Sequence, residues 1–374
     1  METGKLRIGV IFGGRSGEHE VSLMSARSVL KALDPEKYLV TQIGITHEGV
    51  WVVGEDVLAA LSAERGLSDL TQAVLLPDPA HNSLYSLKVL PQGKVLEELS
   101  RLDVIFPVLH GTFGEDGTLQ GLLELANLAY VGAGVLGSAL GMDKGVFKDV
   151  MRANGVPVVE SLVVLRSQIE KDPQAVIPAL EQVGPYPLFV KPANLGSSVG
   201  ITKCQSRSDL VEGLMEAARY DRRVLVERGV NAREIEVSVL GNEDPQASVP
   251  GEVLPSREFY SYEAKYLDGS SGLLIPAPIP DETAERIRSL AIKAFRAVDC
   301  AGMARADFLL DKNNGELYLN EINTIPGFTE ISMYPKLWDA SGLPYPALVD
   351  RLVELALERK TERDHTERRY LRET

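Results

Sequence analysis

Arg305 and Asp307 stand two residues apart in ARADFLL, and Glu321 and Asn323 repeat that spacing in LNEINTIPG. Residues i and i+2 of a strand project from one face. KNNG between the two stretches predicts a turn, so this part of the chain predicts an antiparallel hairpin with one charged, oxygen-rich face. The register decides whether that face exists. A loop of Asn313 and Asn314 alone sets Asp307 opposite Asn320 and turns Glu321 away. A three-residue loop, Asn313 to Gly315 with Gly315 left-handed, sets Asp307 opposite Glu321 and gathers all four side chains. Two carboxylates and an amide oxygen then suit a hard cation such as Mg²⁺, shared with phosphate groups at about 2.1 Å per oxygen. Ordinary solvated positions on a hairpin are the competing reading. The rigid turn Ile325-Pro326-Gly327, whose glycine lets backbone approach a ligand closely, favours a site.

A chain of 374 residues holds two or three packed domains. Its net charge of −14 gives no basic footprint for nucleic acid or an anionic membrane, and leaves anionic small molecules open. Cys204 and Cys300 lack metal spacing and make no disulfide framework. The N-terminal METGKLRIGVIFGG has no signal-peptide core and no membrane-length apolar run, which predicts a reduced, cytoplasmic compartment.

Leu6 to Phe12 predicts a buried parallel strand, followed by the turn GGRSG and an amphipathic helix: the opening of an α/β unit. Tyr38 to Thr46, Val50 to Val53 and Asp103 to Leu109 predict further strands, and residues 54–100 carry no clear pattern. This first unit reads as a small parallel sheet ending near residue 131. A second, antiparallel α+β unit follows. It has a helix over Asp143 to Ala153, strands at Val158 to Val164, Leu188 to Lys191, Val199 to Lys203 and Arg223 to Glu227, and a Gly/Ser loop at Asn194 to Ser198. The last unit begins near Arg228 with a half-buried strand over Glu234 to Leu240. Glu258 to Ala277 reads as a long surface loop of the kind that forms lids. A helix over Asp281 to Val298, the hairpin and a last helix through Leu355 follow, and residues 359–374 read as a frayed polar tail.

Four stretches bear chemistry. In GGRSGEHEVS, Glu18 and Glu20 suit either the first turn of a helix, where acids favour the macrodipole, or an ammonium partner. HGTFGEDGTLQG, after a buried strand, lies where ligands collect in α/β sheets, although a lone histidine such as His110 is often structural. KPANLGSSVG lacks the Walker GK[ST] but has the parts of a phosphate cradle: Lys191, hydroxyls and backbone N–H groups. Lys144 in MDK is either a second cation or a solvated surface lysine. Lys265 and Tyr266 in EAKYLDG sit mid-loop, positioned for a lid or simply exposed.

Taken together, GGRSGEHEVS, HGTFGEDGTLQG, MDK, KPANLGSSVG, LVERGVNAREIEVSVLG, YEAKY, ARADFLL and LNEINTIPGFTEIS resemble the D-alanine–D-alanine ligases of the ATP-grasp superfamily. The resemblance covers residues 6 to about 355, and HGxxGEDGxxQG and NExNTxPG are its most specific parts. It implies three domains: an N-terminal parallel α/β domain over 1–131, and two antiparallel α+β domains, 132–227 and 228–358, that clamp ATP, with a polar tail at 359–374. It implies ATP as co-substrate and two Mg²⁺ ions, with Mn²⁺ as a substitute, on Asp307, Glu321 and Asn323. Lys144, Lys191 and Lys265 match lysines on the phosphates. Glu227 through Val230 match the strand end that meets adenine, and Glu234 matches a ribose ligand. Glu18 matches the residue that binds the ammonium of the first D-alanine, with Ser197 and Tyr266 completing a hydrogen-bonded triad that closes the lid. His110 matches a residue near that substrate's carboxylate, Arg305 and the Gly327 N–H match oxyanion stabilisers, and Ser332 matches the second carboxylate site. The implied reaction makes D-alanyl-D-alanine for peptidoglycan through a D-alanyl phosphate, in a cytoplasmic homodimer that meets through the first domain. Ligases for D-lactate or D-serine are the neighbouring readings, and a non-catalytic nucleotide-binding regulator a more distant one. His19 departs from a family form that also uses Arg, and Glu330 and Ile331 stand between Thr329 and Ser332.

Overall fold

The computed structural model describes residues 4–197, 199–254 and 272–368. Among these residues three sheets form the frame. The first has eight strands in the spatial order Gly93–Arg101, Ser83–Leu90, Thr71–Leu75, Trp51–Val53, Tyr38–Ile45, Leu6–Gly13, Val104–Val108 and Ala129–Tyr130. Leu6–Gly13 lies between parallel neighbours on both sides, and Val104–Val108 pairs in parallel with Ala129–Tyr130. The other half is antiparallel. The expected small parallel sheet is therefore half of a mixed one. The missed strands lie in residues 54–101, and in Gly93–Arg101 every residue but Ser100 is exposed. A strand with so little burial leaves no in–out alternation to read.

The second sheet runs Thr202–Cys204, Leu188–Pro192, Arg223–Arg228, Ser161–Leu165, all antiparallel. Its first and last strands start three residues later than expected, at Thr202 and Ser161 instead of Val199 and Val158. The third has Ala232–Gly241 and Gly302–Asp311 at its centre, flanked by Gly251–Leu254 and Leu317–Asn323. Gly272–Leu274 adds an edge strand to Gly251–Leu254, so that part of the expected Glu258 to Ala277 loop is sheet.

The last helix is Tyr345–Asp364, and it corrects the reading of a tail from residue 359. Leu348, Val349, Leu352 and Val353 pack in one core with Ile8, Val10 and Phe106 of the first sheet. Beyond this apolar stripe the Arg359 guanidinium donates to the Gly132 and Tyr130 carbonyls and lies 4.2 Å from the centre of the Tyr130 ring. Arg363 donates to the Leu128 carbonyl. Polar composition concealed the end of an ordered helix because Arg359 and Arg363 bond backbone carbonyls rather than water.

Candidate active site

The hairpin is present with Arg305 opposite Asn323 and Asp307 opposite Glu321. Gly315 is left-handed, with φ of 72°. The expected three-residue loop is not what produces this register. The Asp311 N–H donates to the Glu316 carbonyl at 2.8 Å and closes a four-residue loop, Lys312 to Gly315, inside which the Gly315 N–H donates to the Asp311 carbonyl; near the turn Phe308 pairs with Leu319 and Leu310 with Leu317. A β-bulge between Asp307 and Phe308 then restores the pairing of Asp307 with Glu321. The side chains follow it: Leu319 and Ile322 are buried, while Asn320 and Glu321 between them both face outward from the core. Without that extra residue the turn would have left Asn320 opposite Asp307.

Arg305 grips Asp307 with two parallel hydrogen bonds of 2.7 Å each, and its Nε lies 3.0 Å from a Glu236 oxygen. Glu236 sits on the adjacent strand directly opposite Asp307. Sequence reading passed over it, although it continues the alternation that includes Glu234. The Asn323 side-chain oxygen accepts from the Ile325 N–H at 3.2 Å, which ties the end of the strand to the turn that follows. Asp307, Glu321 and Asn323 thus present oxygen donors on one face, the chemistry a Mg²⁺ ion requires.

Glu18 caps the His19–Ala32 helix by position, but its side chain makes no capping bond. It turns instead toward the Gly/Ser loop, where it accepts a hydrogen bond from the Ser197 hydroxyl. Its carboxylate lies so close to Gly111 and Gly196 that a Cβ on either would stand 2.6 or 2.5 Å from Oε2. Ser197 holds a left-handed φ of 50°, uncommon for a residue with a side chain. The macrodipole reading therefore fits Glu20, which stands in the first turn, and not Glu18.

Glu18, Glu115, Lys144, Ser197, Arg305, Glu321 and Asn323 line one cavity. Lys144 is not a solvated surface lysine. Its side chain is 13% exposed, it donates to the Leu195 carbonyl at 2.8 Å, and it lies 3.8 Å from Glu321. Asp143 orients its helix by capping the Gly145 and Val146 N–H groups and pairing with Arg223. Glu115 was not singled out in the sequence. Burial, with the nearby Glu18 charge adding to it, pushes its carboxyl up to about 8, and it accepts from the Gly111 N–H at 2.7 Å.

His110 is buried, and burial lowers its pKa, so it is a neutral imidazole. Its Nδ1–H donates to the Ile325 carbonyl at 2.9 Å, because a carbonyl only accepts. That leaves Nε2 to accept from the Ser25 hydroxyl at 3.1 Å, and Ser25 in turn accepts from the Phe328 N–H at 3.3 Å. His110 and Ser25, from the first sheet's helix and loop, thus hold the turn that carries Gly327. Phe328 anchors that turn from below, with ring centres 5.7 Å from Tyr334 and 5.5 Å from Tyr345. Ser332 starts the Met333–Ala340 helix, its hydroxyl 2.7 Å from that of Thr329.

Lys191 and Glu227 lie apart from the lined cavity, as a buried ion pair on neighbouring strands. Lys148 joins them, its Nζ 3.1 Å from the second Glu227 oxygen. Burial alone would raise the Glu227 pKa, but the two lysines overcome it and hold the carboxyl at about 2. The same partnership keeps Lys191 above its ordinary range against its own burial, while burial lowers Lys148. Lys148 follows Lys144 by one helical turn in MDKGVFK, a spacing that could have revealed it. Val230 and Glu234 are half-buried where the chain passes from the second sheet to the third. Lys265 and Tyr266 lie outside the described residues.

Comparison with known proteins gives a consistent set of relatives. The family model described as D-ala D-ala ligase N-terminus matches residues 7–133, and that described as D-ala D-ala ligase C-terminus matches residues 150–354. The D-alanine–D-alanine ligase of Thermoanaerobacter sp. (strain X514) is 51% identical over 370 residues, covering 96% of this chain and 98% of its own. That of Heliobacterium modesticaldum is 52% identical over 367 residues, with 97% and 98% covered. Among solved structures, the D-alanine–D-alanine ligase from Coxiella burnetii superposes with a TM-score of 0.80 at 38% identity, covering 96% of each chain. The VanG D-Ala:D-Ser ligase from Enterococcus faecalis superposes with a TM-score of 0.82 at 35% identity, covering 94% of this chain and 99% of that one.

Proposed function

The chain belongs to the D-alanine–D-alanine ligase family, and we propose that it joins two D-alanines at the expense of ATP, through a D-alanyl phosphate. One observation carries the assignment of roles: Glu18, Lys144, Ser197, Arg305 and Glu321, from separate parts of the chain, line a single cavity.

A carboxylate is a poor acyl donor, because its carbon is electron-rich and its leaving group would be oxide. Attack of the first D-alanine carboxylate oxygen on the γ-phosphorus of ATP releases ADP and turns that oxygen into part of a phosphate leaving group. Lys144, Lys191 and Lys265 carry the phosphate charge. Glu18 takes the ammonium of the first D-alanine, and the Ser197 hydroxyl fixes the orientation of that carboxylate. The amine of the second D-alanine then attacks the carbonyl carbon, while Ser332 receives its carboxylate. Arg305 and the Gly327 N–H face the oxygen that gains charge; loss of one such donor costs about 10²–10³ in rate. His110 acts by holding the Gly327 turn beside the first substrate's carboxylate. The carbon–oxygen bond to phosphate breaks, and dipeptide and inorganic phosphate remain. Tyr266 belongs to the segment that excludes water from the acyl phosphate. Glu227, Val230 and Glu234 bind the nucleoside.

Asp307, Glu321 and Asn323 would hold two Mg²⁺ ions, which neutralise phosphate charge when bound. The units are 1–131, 132–227 and one that starts at 228 and runs through the last helix to Asp364. A homodimer through the first unit is supported by the exposed Val89, Val95, Leu96 and Leu99 on its edge hairpin, and a cytoplasmic place by the activity itself, whose substrates are ATP and D-alanine.

The test supplies ATP with D-alanine alone, with D-alanine plus D-lactate, and with D-alanine plus D-serine, and identifies the products by mass. D-alanyl-D-alanine should dominate throughout. A dominant ester or D-alanyl-D-serine would move the chain to a neighbouring specificity, and ADP release indifferent to D-alanine would contradict ligation.

A further inference from the structure

We infer that Lys148 is a positioning residue for nucleotide binding, the counter-ion that keeps Glu227 ionised and in place when Lys191 turns to the phosphates. The inference rests on the nucleotide roles proposed above for Lys191 and Glu227.

Glu227 has two lysine partners, one more than its own charge needs, and Glu321 and Glu234 also act on Lys191. Lys191 alone would neutralise the carboxylate. Lys148, with a side-chain exposure of 2%, therefore carries a desolvation cost beyond what neutralising Glu227 needs. The surplus acquires a use once ATP is present. Lys191 cannot serve as the main partner of a phosphate and remain the main partner of Glu227. Without Lys148, its departure would leave a buried carboxylate uncompensated, and the carboxyl would take up a proton instead. A purine amino group needs an acceptor, which an ionised carboxylate offers on both oxygens. A protonated carboxyl would instead present a donor, which suits a 6-oxo purine.

Placement supports this division of labour. Lys144 and Lys148 lie on one face of the Lys144–Ala153 helix, four residues apart. The first reaches Leu195 and Glu321 beside the cavity, and the second reaches Glu227 on the strand behind it. One rigid helix thus sets a lysine at each end of the nucleotide's path, and Asp143 fixes its start.

The experiment compares the full chain with its Lys148→Met variant, which keeps the apolar stem and removes the charge. Thermal unfolding without nucleotide should be nearly unchanged, because the Lys191–Glu227 pair remains neutral. KM for ATP should rise by about tenfold or more, since removing one member of a buried charge pair is costly, while KM for D-alanine stays put. The preference for ATP over inosine triphosphate, measured as a ratio of kcat/KM, should fall by a similar factor. A variant that fails to fold, or loses activity with both triphosphates in parallel, would make Lys148 a structural counter-ion and overturn the inference. So would an unchanged KM for ATP. Wild-type chain that forms no ADP with D-alanine would instead reject the parent reading.

Discussion

The Ser197 hydroxyl donates to the Glu18 carboxylate across 179 residues of sequence, joining the loop after the first strand to the Gly/Ser loop of the second sheet. Two glycines make this contact sterically feasible. Gly196→Ala would set a methyl group 2.5 Å from Glu18 Oε2, so the carboxylate must move. We expect kcat/KM for D-alanine to fall by at least about tenfold, as displacements near 1 Å at a reacting centre do, with little change in melting temperature. Steady-state kinetics with circular dichroism melts checks this, and unchanged kinetics would remove Glu18 from the substrate site.

Ser25 is buried, touches no expected substrate, and holds the Phe328 N–H one residue from Gly327. Ser25→Ala should therefore lower kcat more than it raises KM for ATP, by about tenfold, because it loosens an oxyanion donor instead of removing it. The stability loss should be about 1–2 kcal/mol for a buried hydrogen-bond group left without its partner. Urea titration and initial rates read the two effects separately.

Glu115 predicts a pH-dependent stability. Its folded carboxyl titrates at about 8 against an ordinary 4.5. Between those values the folded chain keeps a proton that the unfolded chain has released, so stability falls as pH rises through this window and levels off above it. The slope contributed is at most about 1.4 kcal/mol per pH unit. Glu115→Gln keeps an acceptor for the Gly111 N–H and should flatten the profile. Denaturant unfolding of the nucleotide-free, metal-free chain at pH 5.5 and 7.5 tests it.

Asp307→Asn and Glu321→Gln each remove one negative oxygen from the hairpin face. Activity should drop by about 10² or more, and the concentration of Mg²⁺ giving half-maximal rate should rise. Binding of Mn²⁺, followed by its paramagnetic signal, should weaken in parallel. Chelator should abolish ADP formation in the parent chain, and activity that survives it would contradict the metal assignment.

Arg359→Ala would leave the Gly132 and Tyr130 carbonyls without their donor where the last helix meets the first sheet. A loss of about 2–4 kcal/mol is expected from the unpaired groups and the missing stack on Tyr130. A truncation after Glu358 should do the same, whereas one after His365 should be nearly silent.

The hairpin part of the site was legible because Arg305, Asp307, Glu321 and Asn323 sit on strongly patterned strands. The pair spacing at 305/307 and 321/323 needed only strand periodicity to propose a shared face. What the sequence concealed were relationships that depend on neighbours distant in the chain. The register is rescued by a bulge at Asn320, not by the turn, and no local pattern announces a bulge there. Glu236 joins Arg305 only because its strand lies beside Gly302–Asp311. Glu115 looked like one of two adjacent acids in a glycine-rich loop, and its burial near Glu18 is a tertiary fact. Lys148 was visible at helical spacing from Lys144, but the partner that gives it meaning is 79 residues later.

In the proposed reaction a D-alanine carboxylate oxygen passes to phosphate through an acyl phosphate. D-alanine labelled with ¹⁸O in its carboxylate, turned over with unlabelled ATP, tests it in one measurement. Inorganic phosphate released with the dipeptide should carry one ¹⁸O atom from the acyl-donating D-alanine. Phosphate free of ¹⁸O would contradict it, because the oxygen bridging carbon and phosphorus would then not have come from the substrate.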